Sequence, residues 1–126
     1  MSEHDTLKEI AEGLPKMESA DLFYGKIQHL SEEEVVTAFY SIVPSLNGVQ
    51  RFALLKIALK KLNKHKNLAK LIQLCLDENL SGELGNWMAL ITKKIPVDKL
   101  EGMLIFNSEQ GAETFTYHAR SLKKRA

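Results

Sequence analysis

The sequence predicts an all-α fold of about eight short antiparallel helices, and three observations predict it. Apolar residues recur at spacings of three and four through nearly all of the 126 residues, which places one apolar stripe on one face of each helix. No segment shows sustained alternation of apolar and polar residues, so no strand is predicted. Turn and capping residues recur at the intervals where such helices would end and begin.

The apolar pattern has a period of sixteen residues. In one series every sixteenth residue is apolar: Leu7, Phe23, Phe39, Leu55, Leu71, Trp87, Met103 and Ala119. A second series is apolar until it reaches Asn107: Ala11, Ile27, Val43, Leu59, Cys75 and Ile91. A helix of about three turns followed by a short turn occupies this length, so the period indicates equal helices that lean on one another.

The residues that end and begin helices follow the same period. This series reads Pro15, Ser31, Asn47, Asn63, Asn79, then Ile95 beside Pro96, then Gly111. Ser31 followed by Glu34 is a capping-box pattern, and the acidic run after Ser31 is typical of a helix N-terminus. The predicted helices cover residues 4–14, 18–29, 32–45, 48–62, 66–78, 82–94, 97–107 and 110–124.

The length of the chain predicts a single helical domain over residues 1–126. Short turns between helices of equal length make sequential helices pack antiparallel. Two arrangements then remain open: an αα-superhelix stacked in the manner of HEAT or tetratricopeptide repeats, or a compact helical bundle. The sequence signatures of those repeat families are absent, so the comparison concerns architecture alone.

Several features predict a soluble protein of the cytoplasm, or of the nucleus if the source has one. The single cysteine, Cys75, excludes an internal disulfide and fits a reducing compartment. The polar, acidic start lacks the pattern of a secretory signal. The most apolar stretch, residues 52–62, is interrupted by Lys56, Lys60 and Lys61, so no membrane span is predicted.

The net charge of +1 hides a strong asymmetry along the chain. Residues 1–34 contain nine acids and three lysines, whereas residues 51–70 contain seven basic residues and no acid. Six lysines of this basic segment form the predicted partner-binding stripe: Lys56, Lys60, Lys61, Lys64, Lys66 and Lys70. A stripe of this kind suits phosphates, an anionic membrane surface or an acidic protein.

Two other interpretations of the basic stripe stay open. Lysines commonly solvate a helix surface, and the acidic N-terminal helices would compensate their charge if they folded against it. The segment also has the pattern of a calmodulin target or a helix that lies on a membrane. The second interpretation is disfavoured because the apolar face of this segment is needed for the core.

A second candidate surface lies on the last helix. Tyr117, His118, Arg120 and Lys124 fall on its polar side. The Tyr117 and His118 rings would stack there on a base or an arginine, although single exposed aromatics are also ordinary on a protein surface.

No residue pattern predicts catalysis, a metal or a cofactor. The four histidines, His4, His29, His65 and His118, do not pair at the spacing that a helical metal site needs. Cys75 and Trp87 fall in the apolar series, so we expect both to lie in the core. The glycines are dispersed and form no phosphate-binding loop.

We therefore expect a non-enzymatic protein-binding module, an adaptor or inhibitor, that contacts an acidic surface of another protein. Self-association through the acidic N-terminal helices is a further expectation. The alternative is sequence-independent nucleic-acid binding through residues 51–70 and the basic C-terminus. The sequence isoelectric point of about 7.8 weighs against that alternative.

Overall fold

The computed structural model describes residues 3–125, with side chains from residue 5 onward, and over this range the chain is helical without strands. The eight α-helices are α1 (Glu3–Glu12), α2 (Met17–Ile27), α3 (Glu32–Ile42), α4 (Gly48–Lys61), α5 (His65–Asp77), α6 (Ser81–Ile91), α7 (Val97–Gly102) and α8 (Glu109–Arg125). A 3-10 helix, Val43–Ser45, extends α3. The predictions of an all-α fold and of eight helices are confirmed.

Contacts divide the chain into two compact units, residues 1–63 and residues 64–126. In the first unit, α1 packs against α2, α3 and α4, while α4 also packs against α2 and α3. In the second unit, α6 packs against α5 and α8, and α7 packs against α8. Each unit thus contains four helices, and the single-domain interpretation stays a prediction.

Nearly every residue of the two apolar series lies in the core. In the series that starts at Leu7, every residue except Met103 is buried, and Trp87 has no exposed surface. The series from Ala11 to Ile91, which contains Cys75, is buried throughout. Burying an apolar side chain of this size contributes about 1.5–3 kcal/mol, so these two series hold the short helices in place.

Capping boxes begin two helices of the first unit, and the sequence predicts the first of them, at Ser31. The Ser31 hydroxyl accepts a hydrogen bond from the Glu34 backbone at 3.1 Å, and the Glu34 carboxylate accepts one from the Ser31 backbone at 3.0 Å. The second bond lowers the pKa of Glu34. Asn47 and Gln50 form the same pair of bonds at the start of α4. Both boundaries therefore rest on local contacts that the sequence contains.

In the second unit, Asn79 ends α5 with a left-handed turn, at a φ of 57°. The Leu80 amide donates to the Cys75 carbonyl at 3.0 Å, and the Asn79 amide donates to the Leu76 carbonyl at 3.2 Å. These two bonds are a Schellman motif, in which asparagine is the commonest residue after glycine. The Cys75 thiol also donates to the Leu80 carbonyl at 3.4 Å, so the cysteine supports the same turn.

The predicted helix over residues 97–107 is wrong in its second half. α7 ends at Gly102, Met103 is 41% exposed, and residues 104–107 are irregular. The Gln73 side chain on α5 donates to the Ile105 carbonyl at 2.8 Å and accepts from the Ile105 amide at 2.9 Å. This side-chain amide satisfies the backbone groups that a longer helix would have paired internally.

A hydrogen-bond chain extends this contact along α5. Gln73 also donates to the Asp77 carboxylate at 3.0 Å, and the same carboxylate oxygen accepts from the Asn107 side chain at 2.9 Å. Asn107 interrupts the second apolar series, and its side chain holds the irregular segment against α5. We call Gln73, Asp77 and Asn107 the amide clamp.

Substitution of Asn79 tests the left-handed turn. We expect Asn79→Ala to lower the free energy of unfolding by about 1 kcal/mol, because alanine lacks the short polar side chain that lets asparagine tolerate positive φ. Asn79→Gly should retain or raise stability. Urea denaturation of the three proteins measures the difference, and an alanine variant as stable as the glycine variant would contradict the assignment.

Removal of the Gln73 amide tests the clamp. We expect Gln73→Leu to lower the free energy of unfolding by about 1–2 kcal/mol, since both backbone bonds to Ile105 are lost. Hydrogen exchange at the Ile105 amide should become faster, whereas exchange at Ala69, inside α5, should change only with global stability. Unchanged protection at Ile105 would show that the clamp does not hold this segment.

Candidate functional site

The basic stripe begins on α4, where Lys56 and Lys60 are exposed one helical turn apart. The Lys56 ammonium lies 4.7 Å from the centre of the Phe52 ring, and the Lys60 ammonium lies 5.2 Å from the centre of the Tyr24 ring. Phe52 precedes Lys56 by one turn of α4, whereas Tyr24 comes from α2. We call these four residues the lysine–aromatic face.

The face is held by the packing of α2 against α4. Lys61, at the end of α4, donates to the Gln28 carbonyl after α2 at 3.4 Å, and the Gln28 side chain donates to the Tyr24 carbonyl at 3.1 Å. Lys61 is half-buried and donates this bond within the protein, so its ammonium group is less available to a partner. Cation–aromatic contacts at exposed sites contribute about 0.5–1 kcal/mol, which orients the ammonium groups more than it stabilises the fold.

The remaining lysines of the stripe belong to the second unit. α4 ends at Lys61, so Lys64 does not continue its face; it lies at the N-cap of α5. Lys66 follows in the first turn of α5 and Lys70 comes one turn later, and all three are exposed. Cations near a helix N-terminus oppose the helix dipole, and the first turn of α5 has no acid.

The second predicted surface is divided between two sides of α8. Tyr117, Arg120 and Lys124 border an open concavity of about 660 Å³ on the outer side of the helix. His118 instead turns toward α6 and is half-buried. The Tyr117 and His118 rings meet edge to face, with centroids 5.2 Å apart.

His118 packs directly on Gly85 of α6. A β-carbon built on Gly85 would lie 2.5 Å from Cε1 and 2.7 Å from Nδ1 of the imidazole, so only glycine permits this approach. A cleft of about 300 Å³ opens beside the contact, between α6 and α8, and Asn86 and Arg125 are among its lining residues. The sequence placed His118 on a polar face; the structure gives it a packing role.

Three residues of these sites were missed by the sequence analysis. Tyr24 and Lys60 are 36 positions apart, and no local pattern joins them. Phe52 belongs to the apolar stretch 52–62, and its spacing of four from Lys56 places the two side chains side by side on α4. Gly85 did carry a signal, because a glycine inside a predicted helix often marks close packing.

No group of three or more potential metal ligands occurs among the residues whose side chains are described; the side chain of His4 lies outside them. Cys75 is 1% exposed, as its place in the apolar series predicts. Within the described helices, none has the length and apolar content needed to cross a bilayer. Comparison of the chain with protein-family models, with curated proteins and with solved structures finds no match.

A pair of glycine substitutions tests the contact between α6 and α8. We expect Gly85→Ala to destabilise the protein, because the new methyl group displaces the His118 ring. In a His118→Ala background the same change should stabilise, by up to about 1 kcal/mol, since alanine is the better helix former.

Gly25→Ala is the matched control, because the space around Gly25 in α2 is open. Its effect on thermal unfolding should have the same sign with and without His118. An effect of Gly85→Ala that is independent of residue 118 would contradict the assigned contact.

Proposed function

We propose that this chain is a non-enzymatic binding module whose lysine–aromatic face contacts an acidic surface of another protein. The observation that carries the proposal is the position of the Lys56 and Lys60 ammonium groups above aromatic rings, at 4.7 and 5.2 Å. The rings restrict the two side chains before a partner arrives, so less conformational entropy is lost on binding.

Long-range electrostatics supports the same partner. Residues 51–70 contain seven basic residues and no acid, although the whole chain has a net charge of only +1. Lys56 and Lys60 are both exposed in the first unit, and exposed positive charge speeds the encounter with an oppositely charged surface.

The contacts of the rings favour a protein partner over a nucleic acid. Proteins that bind single strands commonly offer open aromatic faces on which bases stack. Here Lys60 lies over the Tyr24 ring and Lys56 over the Phe52 ring, and Tyr24 is only 37% exposed. A stacking base would have to displace the lysine that binds its phosphate. Nucleic-acid binding therefore remains the second candidate, decided by the test below.

The place of action that we propose is the cytoplasm, which the single cysteine fits.

The acidic N-terminal helices are proposed as the surface for a basic partner, since Glu9, Glu12 and Glu18 are exposed.

Charge reversal of the face tests the proposal. The probes are a deca-glutamate peptide and an oligothymidine of equal charge, each with the same fluorescent label. We expect the protein to bind the peptide at least as tightly as the oligonucleotide at about 0.1 M salt. Lys56→Glu with Lys60→Glu should weaken peptide binding by about tenfold or more in fluorescence anisotropy.

The matched control is Lys8→Glu with Lys16→Glu, which changes the net charge equally at exposed sites of the same unit. This control should weaken peptide binding by less than about threefold. Tighter binding of the oligonucleotide, abolished by the Lys56 and Lys60 reversals, would replace the proposal with the nucleic-acid function. Absence of binding to both probes, or equal losses in the two double variants, would remove the face from either function.

A further inference from the structure

The outer side of α8 is open to solvent along its length. Phe115 and Ala119 are buried in the second unit, whereas Tyr117 is 66% exposed. The concavity of about 660 Å³ on this side is lined by residues of α8 alone. Within the described part of the chain, this side of the helix is thus an exposed surface without a covering helix.

The charges on this side are sorted along the helix. Glu109 and Glu113 lie toward its N-terminus, while Arg120 and Lys124 lie toward its C-terminus, and all four are exposed. No ion pair is formed by these four side chains with the residues that the structure describes. The acids are four positions apart, and so are the bases, which makes both neighbouring pairs repulsive on an isolated helix. The helix dipole favours this order of charges, but it does not relieve the repulsion within each pair.

The same side is self-complementary under a two-fold rotation. The midpoint of the charge pattern lies between Thr116 and Tyr117. Glu109 and Lys124 are equally far from this point on opposite sides, and so are Glu113 and Arg120. We propose that α8 pairs antiparallel with α8 of a second copy of this chain, around an axis through that point.

The pairing relieves each repulsion with an opposite charge. Glu109 faces Lys124 of the second copy, Glu113 faces Arg120 of the second copy, and symmetry repeats both contacts. Ala112 is set opposite Ser121 of the second copy, and these small side chains allow the helix axes to approach closely. Tyr117 then packs over Thr116 of the second copy and loses its exposed surface.

The scale of the contact predicts a weak dimer. One helix of 17 residues is about 25 Å long, so a single helix pair buries an area at the low end of specific interfaces. Four ion pairs at an exposed interface are screened by salt. We expect association in the range of tens to hundreds of micromolar, strengthened at low salt and weakened by about tenfold or more at 0.5 M salt.

Charge reversal and charge exchange test the symmetry. In sedimentation equilibrium, Glu113→Arg and Arg120→Glu should each raise the dissociation constant by about tenfold or more, because each places like charges together twice. The double variant, Glu113→Arg with Arg120→Glu, should return to within about threefold of the native protein. Lys93→Glu, an exposed change beyond the end of α6, is the control and should have little effect.

Cysteine crosslinking tests the direction of the pairing. Thr116→Cys, close to the axis, should form a disulfide-linked dimer under mild oxidation. Glu109→Cys should not crosslink to itself, because its two copies lie about 22 Å apart along the antiparallel pair. A mixture of Glu109→Cys and Lys124→Cys proteins should form the mixed dimer.

Three outcomes overturn the proposal. A native protein that stays monomeric at millimolar concentration and low salt excludes the dimer. A Glu109→Cys protein that crosslinks to itself indicates parallel pairing. A dimer that the Glu113 and Arg120 reversals leave intact but that Lys56→Glu with Lys60→Glu dissociates places self-association on the acidic N-terminal helices instead. The readout is independent of the acidic-peptide test, so failure of one proposal leaves the other standing.

Discussion

Most helices of this chain are too short to be stable in water by themselves, and their structure depends on the apolar stripe that each buries. Isolated helices below about 12–15 residues are marginal even when rich in alanine. Here α7 has 6 residues and α1 has 10, and only α4, α5 and α8 exceed 11. Burial of the apolar residues at sixteen-residue intervals supplies the stability that helix propensity alone does not. In both units the first helix packs on the second, the second on the fourth, and the third on the fourth.

The candidate surfaces lie on the outer sides of the helices, because the apolar stripes face the core and leave the charged side chains outside. On α4 two of them lie against aromatic rings, and on α8 they are sorted by sign along the helix. Neither arrangement stabilises the fold strongly, because exposed charges gain little from their neighbours. Both arrangements keep charge available for a partner, which is why the two proposals rest on them.

The sequence predicts what local and periodic interactions determine. Helix starts follow from Ser31 and Asn47, whose partners lie three positions away. Burial follows from the sixteen-residue period because the same geometry recurs in each helix. The prediction fails at Met103, where an apolar residue in the right register is exposed. The segment after Met103 is bound instead by the Gln73 amide, 32 positions distant from Ile105, and this contact is not recognisable without the fold.

The candidate surfaces show the same division. The exposure of Lys56 and Lys60 follows from helical periodicity, and the structure places both on the outside of α4. The contact between Lys60 and Tyr24 depends on how α2 crosses α4, which spacing within the chain does not specify. The place of His118 likewise depends on a glycine of another helix, because a β-carbon at Gly85 would exclude the ring. The face of a helix on which a residue lies can be predicted from the sequence. Which residues of two helices contact each other depends on how the helices pack.

The two units differ in how many helices pack against their fourth helix, α4 or α8. The bounds of α2 and α6 are 64 positions apart, four periods of the apolar series, so the units repeat one plan. In the first unit the fourth helix packs against three others, α1, α2 and α3. In the second unit α7 is cut to 6 residues, and the amide clamp holds an irregular segment beside α5. Within its unit α8 therefore packs closely on α6 and α7 only, and its outer side is left for another helix to cover.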